Sequence, residues 1–350
     1  MKMLLGLSET LPSLVEAKFA SARATSGLLF SPSEVSTIRT STGFPFQLRF
    51  CPTLAKKPTP KNEEPTPKRK FDPFESPPAA LHIADIPKDN PSHLLVLNKF
   101  PIIAQHFILA TKSNKQQTHF LEQDDLEATF ACLNAWQATH SKQTRLFAFF
   151  NSGEHSGASQ SHRHLQFLPL ESMLEGGATG SWDLLIDLIL SSKGTQAKGA
   201  QAGLKQHDDL PFIHYACSLG PNPSGPELVS NYKELYRAAK DAVDTFIATS
   251  PEEFALHPDD EGDSPISYNL AMTTSGMAIL PRRSEGTMLQ RDDGSEIGFV
   301  ALNGTTLGGT MMVKYQEEWD LLRERPAMLD NILAAIGIPR PYLTTFKSRV

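Results

Sequence analysis

Cysteine is scarce in this chain, and its placement excludes two common kinds of scaffold. The three cysteines, Cys51, Cys132 and Cys217, lie far apart among 350 residues. Disulfide-rich domains carry an even set of closely spaced cysteines, and zinc knuckles carry paired CxxC motifs. Neither pattern occurs in this sequence. The chain therefore suits a reducing compartment, and we expect a cytoplasmic location, with the nucleus as a second candidate compartment.

Long apolar runs and an excess of positive charge are also missing. The apolar run that begins at Met3 is interrupted by Glu9 before it reaches signal-peptide length. No later run approaches the roughly 20 apolar residues of a membrane helix. The formal charge of -6 predicts no basic surface for nucleic acid. We therefore expect neither membrane nor nucleic acid as a partner, and the 40% hydrophobic content suits one or two globular domains.

Residues 151–170, NSGEHSGASQSHRHLQFLPL, form the stretch that most needs a chemical explanation. Within it His162, His164 and Gln166 alternate with other side chains, a spacing typical of a β-strand. Side chains two residues apart on a strand share one face. We therefore expect both imidazoles and the Gln166 amide to line one surface.

The segment before this strand contains glycines and small polar residues, among them Gly153, Ser156 and Gly157. Glycines let successive backbone N–H groups converge on an anion without a Cβ in the way. Beside an imidazole that titrates near neutral pH, such a loop supplies the parts of a phosphoryl-transfer or nucleotidyl-transfer site. The simpler alternative is a solvent-exposed hairpin with two surface histidines.

The rest of the sequence predicts strands and helices in a repeated order. Helices are expected at residues 13–25, from Asp124 with a capping box completed by Glu127, and from Pro226. Strands are expected at 44–50 with one face buried, at 93–100 paired with 105–112, at 210–219, and at 268–273 paired with 276–280. Strand, helix and hairpin follow one another in both halves, so we expect residues 210–281 to repeat the structure of residues 93–168.

Two segments of biased composition interrupt this pattern. Residues 52–70 combine prolines with lysines and predict an extended basic loop. Its first lysines, Lys56 and Lys57, are placed to fold back over a polyphosphate. Residues 193–209 are rich in glycine, glutamine, alanine and lysine and mark a boundary or a lid.

Several ordered motifs resemble one family. The run His162-Arg163-His164-Leu165-Gln166, behind the loop 156–160, resembles the histidine-triad (HIT) superfamily and, more narrowly, the fungal diadenosine tetraphosphate phosphorylases, also called ATP adenylyltransferases. The segments FDPFESP, LNKFP, FAFFNSG and LNGTTLGGTMMVK are also similar to this family. The resemblance implies an α+β fold with a HIT-like antiparallel sheet flanked by helices and a C-terminal segment of similar α+β character. It implies a catalytic domain over 1–205, including an N-terminal extension and the basic loop, and a C-terminal ATP adenylyltransferase domain over 206–350.

The resemblance also implies a reaction and a set of site residues. Diadenosine tetraphosphate and phosphate would give ATP and ADP, reversibly, with His164 as the nucleophile, a covalent nucleotidyl-histidine intermediate, and His162 and Gln166 as further catalytic groups. Exchange of phosphate with adenylyl sulfate is a further expected activity. Magnesium is expected on the polyphosphate and at no protein site, and a monomer is expected. The implied substrate contacts are Lys56, Lys57, Asn98, Lys99, Asn151, Gly157, Ala158, Ser159, Gln160, Gln166, Asn303, Thr310 and Lys314.

Three other functions use some of the same residues. A dinucleoside polyphosphate hydrolase would discharge the same intermediate with water. A cupin-like metal enzyme would use His162 and His164 as metal ligands, with Glu171 as a distant candidate for a third ligand. A non-catalytic nucleotide sensor would need no nucleophile.

Overall fold

The computed structural model describes residues 5–56, 72–137, 144–176, 182–192, 203–250 and 263–340. The helices of this part of the chain are α1 (Leu11–Ala24), α2 (Gln123–Gln137), α3 (Leu170–Leu174), α4 (Leu185–Ser191), α5 (Gly225–Thr249), α6 (Gln316–Glu324) and α7 (Met328–Ile336). The strands are β1 (Glu34–Arg39), β2 (Pro45–Phe50), β3 (His82–Ile86), β4 (His93–Leu97), β5 (Phe107–Thr111), β6 (Leu146–Ser152), β7 (His164–Pro169), β8 (Tyr215–Ser218), β9 (Ser267–Thr273), β10 (Gly276–Arg282), β11 (Gly286–Gln290), β12 (Glu296–Ala301) and β13 (Thr310–Val313).

An antiparallel sheet of eight strands, in the order β3-β4-β5-β7-β6-β9-β10-β8, dominates the described residues. Helices α1, α2 and α5 bury their apolar stripes on one face of this sheet. On the other face, the small sheet β1-β2-β13 and helices α4, α6 and α7 build a second core. Strand β7 divides its side chains between the faces, with Leu165 and Phe167 in the first core and Leu168 in the second. His164 and Gln166 therefore share the face of Leu168.

The helices begin where capping residues satisfy their first N–H groups. The side chain of Thr10 accepts from the N–H of Ser13 at the start of α1, and Ser224 and Glu227 form a capping box on α5. The capping box predicted at Asp124 and Glu127 is wrong. In the structure the carboxylate of Asp125 accepts from the N–H of Glu122, which turns Asp125 inward at the start of α2.

Most predicted strands are present, and two differ from expectation. The pair β4 and β5 and the hairpin β9 and β10 are confirmed. Strand β8 is shorter than the predicted 210–219, because Phe212 and Ile213 pair with the chain around Ile338 instead of extending the main sheet. Strand β2 is buried on both faces, since Gln47 and Arg49 donate to the carbonyl of Met173.

The two halves of the chain contribute strands in the same relative order. In the first half α2 connects β5 to the pair β6 and β7, and these strands lie in the order β5-β7-β6. In the second half α5 connects β8 to β9 and β10, and these strands continue the sheet in the order β9-β10-β8. This is the order of the first half reversed, with β8, β9 and β10 in the places of β5, β6 and β7. This arrangement supports the expected internal repeat. The halves meet where β6 pairs with β9, so one sheet contains strands from both predicted domains. The domain boundary between residues 205 and 206 stays a prediction.

No helix in the described ranges combines the length and the apolar character needed to span a bilayer.

Candidate active site

A cavity of about 470 Å³ opens beside the start of β7. Its apolar lining comes from the segment after residue 72 together with β4 and β5. Its polar lining comes from His164, Gln166, Ser159 and Gln160, and from Asn98 and Lys99 after the end of β4. The apolar lining residues are Pro73, Phe74, Pro77, Pro78, Leu81, Val96, Leu97, Phe100 and Ile108. A cavity with both kinds of lining suits a ligand with an apolar base and an anionic end.

The hydrogen bonds of His164 fix its tautomer. Its Nδ1 lies 2.8 Å from the backbone carbonyl of His162, which can only accept, so Nδ1 carries the proton. Its Nε2 then has a free lone pair and no partner among the described residues. Burial lowers the pKa of His164 to about 4, and the ring is 4% exposed. At neutral pH the side chain is therefore a neutral imidazole with one nitrogen available for attack.

His162 has partners at both ring nitrogens. Its Nδ1 lies 2.7 Å from the carboxylate of Asp72, and its Nε2 lies 2.7 Å from the carbonyl oxygen of Thr111. The hydroxyl of Thr111 is also 3.0 Å from Nε2. Burial works to raise the pKa of Asp72, but the N–H of Phe74 and the His162 ring hold that pKa below its usual value. His162 thus has no nitrogen free for attack.

The ring of Phe74 packs against both imidazoles. Its centroid is 5.1 Å from that of His164 and 5.5 Å from that of His162. Phe74 also lines the cavity, whereas His162 and Asp72 are not among its described lining residues. The segment that follows the basic loop therefore contacts the two histidines, with Asp72 at His162 and Phe74 at both rings.

The side chain of Gln117 holds the backbone at His164. The pairing of β6 with β7 reaches Phe149 and Gln166, and the same register would bring Asn151 opposite His164. At that point the Gln117 amide lies between the strands. Its Oε1 accepts from the His164 N–H at 2.8 Å, and its Nε2 donates to the carbonyls of Asn151 at 2.8 Å and His164 at 3.2 Å. The strands are thus held apart where the loop 153–161 leaves β6.

That loop presents unused donors. Ala158, Ser159 and Gln160 are exposed, and within the described part of the chain their N–H groups donate to no acceptor. Gly157 turns the loop with a φ of +77°, and a Cβ there would come within 2.8 Å of the Cβ of Asn303. Only glycine meets both demands. The loop therefore packs closely on the C-terminal half and still offers N–H groups to an anion.

A buried polar chain anchors the loop from below. Arg282 is fully buried and donates to Asn269 and to the carbonyls of Ser284, Glu285, Leu302 and Ile336. Asn269 donates in turn to the side chain of Asn151 and to the carbonyl of Ser156, both at 2.9 Å. Burial lowers the pKa of Arg282 to about 9, so its guanidinium is still charged at neutral pH.

The structure brings some of the predicted site residues to the cavity and leaves others away from it. His164, Gln166, Asn98, Lys99, Ser159 and Gln160 line it, with Gly157 and Ala158 in the same loop. Asn151 lies beneath the loop, where its Oδ1 accepts from Asn269 and from the N–H of Gly304. Asn303 caps the 3-10 helix Gly304–Gly308. Thr310 is buried and donates to the Gln47 carbonyl, and Lys314 follows the end of β13. Lys56 ends the 3-10 helix Pro52–Lys56, and Lys57 and most of the basic loop lie outside the described residues.

Three residues that shape the site were not predicted from the sequence. Asp72 had a signal, since it is the first of the two acidic residues in the FDPFESP segment that follows the basic loop. His106 and Gln117 had none, because their roles depend on strands that meet only in the folded chain. His106 lies 3.1 Å from Gln166, and Gln117 contacts His164 across 47 positions of sequence.

The geometry does not favour a cupin-like metal site. Both nitrogens of His162 are already bonded, and Glu171 accepts from the indole N–H of Trp136 at 2.9 Å. Within the described ranges, no group of three or more His, Cys, Asp or Glu side chains is arranged to hold a metal ion.

Comparison with protein families matches two domains in order along the chain. The Ap4A phosphorylase N-terminal domain, where Ap4A is diadenosine tetraphosphate, matches residues 2–180. The ATP adenylyltransferase C-terminal domain matches residues 208–339.

Two proteins of Saccharomyces cerevisiae are similar to almost the whole chain. Diadenosine 5',5'''-P1,P4-tetraphosphate phosphorylase 2 is 25% identical over 95% of this chain and 96% of its own length. Protein APA1 is 27% identical over 93% of this chain and 94% of its own length. The crystal structure of yeast Ap4A phosphorylase Apa2 has a TM-score of 0.75 to this chain at 23% identity, covering 96% of this chain and 99% of Apa2.

These matches confirm the expected HIT-like α+β fold, and together with the domain matches they define a nucleotidyltransferase. The chain belongs to the Ap4A phosphorylase family.

Proposed function

We propose that this chain catalyses the reversible phosphorolysis of diadenosine tetraphosphate, in which diadenosine tetraphosphate and phosphate give ATP and ADP. The observation that carries the proposal is the state of His164, whose Nδ1 donates to the His162 carbonyl and whose Nε2 is left free at the cavity. Yeast Apa2 has been solved with AMP and with Ap4A. Both ligands contain the adenylyl group that the proposed reaction transfers.

In the first step Nε2 of His164 attacks the α-phosphorus at one end of the substrate. An N–P bond forms, the bond from that phosphorus to the bridging oxygen breaks, and the electron pair leaves with ATP. In this proposal the N–H groups of Ala158 to Gln160 and the ammonium of Lys99 stabilise the charge that builds up on the phosphate oxygens. The ring of His162, held by Asp72 and Thr111, steadies the residue whose carbonyl accepts from His164.

In the second step an oxygen of inorganic phosphate attacks the phosphorus of the His164 adenylate. The new O–P bond makes ADP, and the electron pair of the broken N–P bond returns to Nε2, which restores a neutral imidazole. Each step inverts the configuration at phosphorus. The carbonyl of His162 accepts from Nδ1 throughout, so the ring stays oriented while its charge changes.

The cavity suits one adenylyl end of such a substrate. The apolar lining around Pro77, Pro78 and Ile108 suits an adenine ring, and the polar lining suits phosphate. No carboxylate is among the described residues that line the cavity. We therefore propose that magnesium arrives on the polyphosphate as part of the substrate, bound by phosphate oxygens.

The attack of His164 on an α-phosphorus also suits a second substrate, adenylyl sulfate. Adenylyl sulfate carries the same α-phosphorus with sulfate as the leaving group, so we propose that phosphate exchanges with it to give ADP.

The three cysteines are free thiols, which supports the cytoplasm or the nucleus as the location. We propose that the protein is a monomer.

Product analysis separates this function from its alternatives. Incubation with diadenosine tetraphosphate and labelled phosphate is expected to give labelled ADP and unlabelled ATP in equal amounts. Formation of AMP and ATP at a rate independent of phosphate would instead identify a hydrolase. A nucleotide sensor would give no products, and its ligand binding would be unchanged in His164→Asn.

A further inference from the structure

A chain of hydrogen bonds runs from the backbone of Phe100 to the side chain of Gln166. The N–H of Phe100 donates to Oδ1 of Asn98 at 2.8 Å. The Asn98 Nδ2 lies 3.1 Å from Nδ1 of His106, and the His106 Nε2 lies 3.1 Å from Oε1 of Gln166. The segment between β4 and β5 is thereby connected to the catalytic strand.

The direction of every bond in this chain follows from its first donor. A backbone N–H can only donate, so the Asn98 atom that faces Phe100 is the amide oxygen. Its NH₂ group must then donate to Nδ1 of His106, which places the ring proton on Nε2. That proton is donated to Gln166, so the oxygen of Gln166 is bonded and its NH₂ group is left over.

We propose that His106 is a positioning residue that fixes the amide of Gln166 with its NH₂ group toward the cavity, and so selects an anionic oxygen as the second nucleophile. This inference rests on the proposed function and specifies which nucleophile discharges the adenylate. His106 does not line the cavity and acts through Gln166, which does.

The selection follows from the need of water for a base. Water must lose a proton as it attacks, whereas an oxygen of phosphate is already an anion. The oxygen of Gln166 is bonded to His106, and no carboxylate is among the described residues that line the cavity. The NH₂ group of Gln166 has no partner among the described residues, so it can donate to phosphate, and it cannot take a proton from water.

Three substitutions at residue 106 separate polarity from shape. His106→Gln keeps a donor that can reach Gln166, His106→Glu offers only acceptors in a similar volume, and His106→Ala removes both. We expect kcat/KM for phosphate to fall by roughly 10- to 100-fold in His106→Ala, at least as far in His106→Glu, and by less than about fivefold in His106→Gln. The ratio of AMP to ADP formed should rise in the same order as the loss. Equal effects of Gln and Glu would overturn the proposal.

The same substitutions on a Gln166→Ala background test whether His106 acts through Gln166. If it does, the variants at 106 differ by less than about threefold there, because the group they orient is gone. A loss in His106→Glu that persists on this background would mean that the new charge acts directly, and would contradict the proposal. Thermal unfolding midpoints check that the variants are folded, and the Gln and Glu pair suffices if the Ala variant is not.

Two further measurements complete the experiment. His119→Ala is the matched control, because His119 pairs with Asp263 outside the cavity and should leave the product ratio unchanged. In the unsubstituted enzyme, formation of AMP irrespective of phosphate refutes the proposed function itself. Phosphate-dependent ADP formation with no separation between the Gln and Glu variants refutes only the role of His106.

Discussion

The side-chain amide of Gln117 is hydrogen-bonded to both the N–H and the carbonyl of His164, and so replaces the neighbouring strand at the nucleophile. In Gln117→Glu one carboxylate oxygen would face the carbonyls of His164 and Asn151, which can only accept. We expect the rate of His164 adenylation to fall roughly 10- to 100-fold, with less than about a threefold change in the affinity for diadenosine tetraphosphate, since the cavity walls stay in place. Rapid-quench kinetics of a single turnover measure both quantities.

Gln116→Glu is the control for this prediction. Gln116 is exposed, and its backbone carbonyl accepts from the side chain of Arg163. The variant therefore adds the same charge at the adjacent residue, away from the backbone of His164. Equal rates in the two Glu variants would show that charge, and not the bonds of Gln117, governs the step.

The carboxylate of Asp72 is expected to hold the ring of His162 in place. In Asp72→Asn the Nδ1 of His162 loses its anionic partner, so the residue whose carbonyl accepts from His164 is held less firmly. We expect kcat to fall by about tenfold or more, because the attacking ring is oriented less well. Steady-state rates measure kcat, and an unchanged value would contradict this role of Asp72. Asp85→Asn is a matched control, because Asp85 pairs with His82 at 2.9 Å outside the cavity and should leave kcat unchanged.

The buried histidines make stability depend on pH below neutrality. Burial lowers the pKa of His164 from 6.5 to about 4, so between these values the unfolded chain binds a proton that the folded chain does not. The free energy of unfolding is then highest above pH 6.5 and falls as the pH decreases toward 4. His214, whose pKa burial lowers to about 3, adds a second contribution of the same sign. Urea unfolding from pH 7 to 5 should show a shallower slope for His164→Asn, and identical slopes would refute this origin.

The same shift predicts the acid limb of the rate profile. Because His164 stays neutral down to about pH 4, kcat/KM should show no decline with the ordinary histidine value of 6.5 that can be traced to this residue. Initial rates measured between pH 5 and 8 in a constant ionic-strength buffer check this. A decline in the single-turnover rate of adenylation below about pH 6.5 would contradict the prediction that His164 stays neutral there.

Arg282 is expected to stabilise the fold and the catalytic loop together. Arg282→Met leaves four carbonyls and the Asn269 side chain without their donor, so we expect a loss of about 3 kcal/mol or more in the free energy of unfolding. Activity of the folded fraction should also fall, because Asn269 holds Ser156 and Asn151. Arg291→Met is the control. Arg291 is exposed and pairs with Glu317, so little change is expected in urea unfolding or in activity.

Much of the fold was predictable because local patterns govern it. The alternation around His164 and Gln166 predicted a strand with both on one face, and the hairpin of β9 and β10 follows from its own residues. Errors arose where distant segments compete for a strand. Phe212 pairs near the C-terminus instead of extending β8, and Arg49 is buried because Met173 supplies an acceptor.

The candidate site was predictable only in part, for the same reason. A motif can indicate that His164 is available for attack, but the state of its ring depends on the His162 carbonyl and on burial. The roles of Gln117 and His106 come from side chains that reach across the sheet to β7. Such contacts leave no periodic signal in the sequence.

The most direct test of the account is to trap the adenylate on the enzyme. Enzyme mixed with labelled diadenosine tetraphosphate without phosphate, then quenched under alkaline conditions, should carry one acid-labile adenylyl group per chain, located at Nε2 of His164 by peptide mass spectrometry. Addition of phosphate before the quench should remove the label as ADP, and His164→Asn should carry none. Full turnover with no adenylate, or with the adenylate on another residue, would contradict the account.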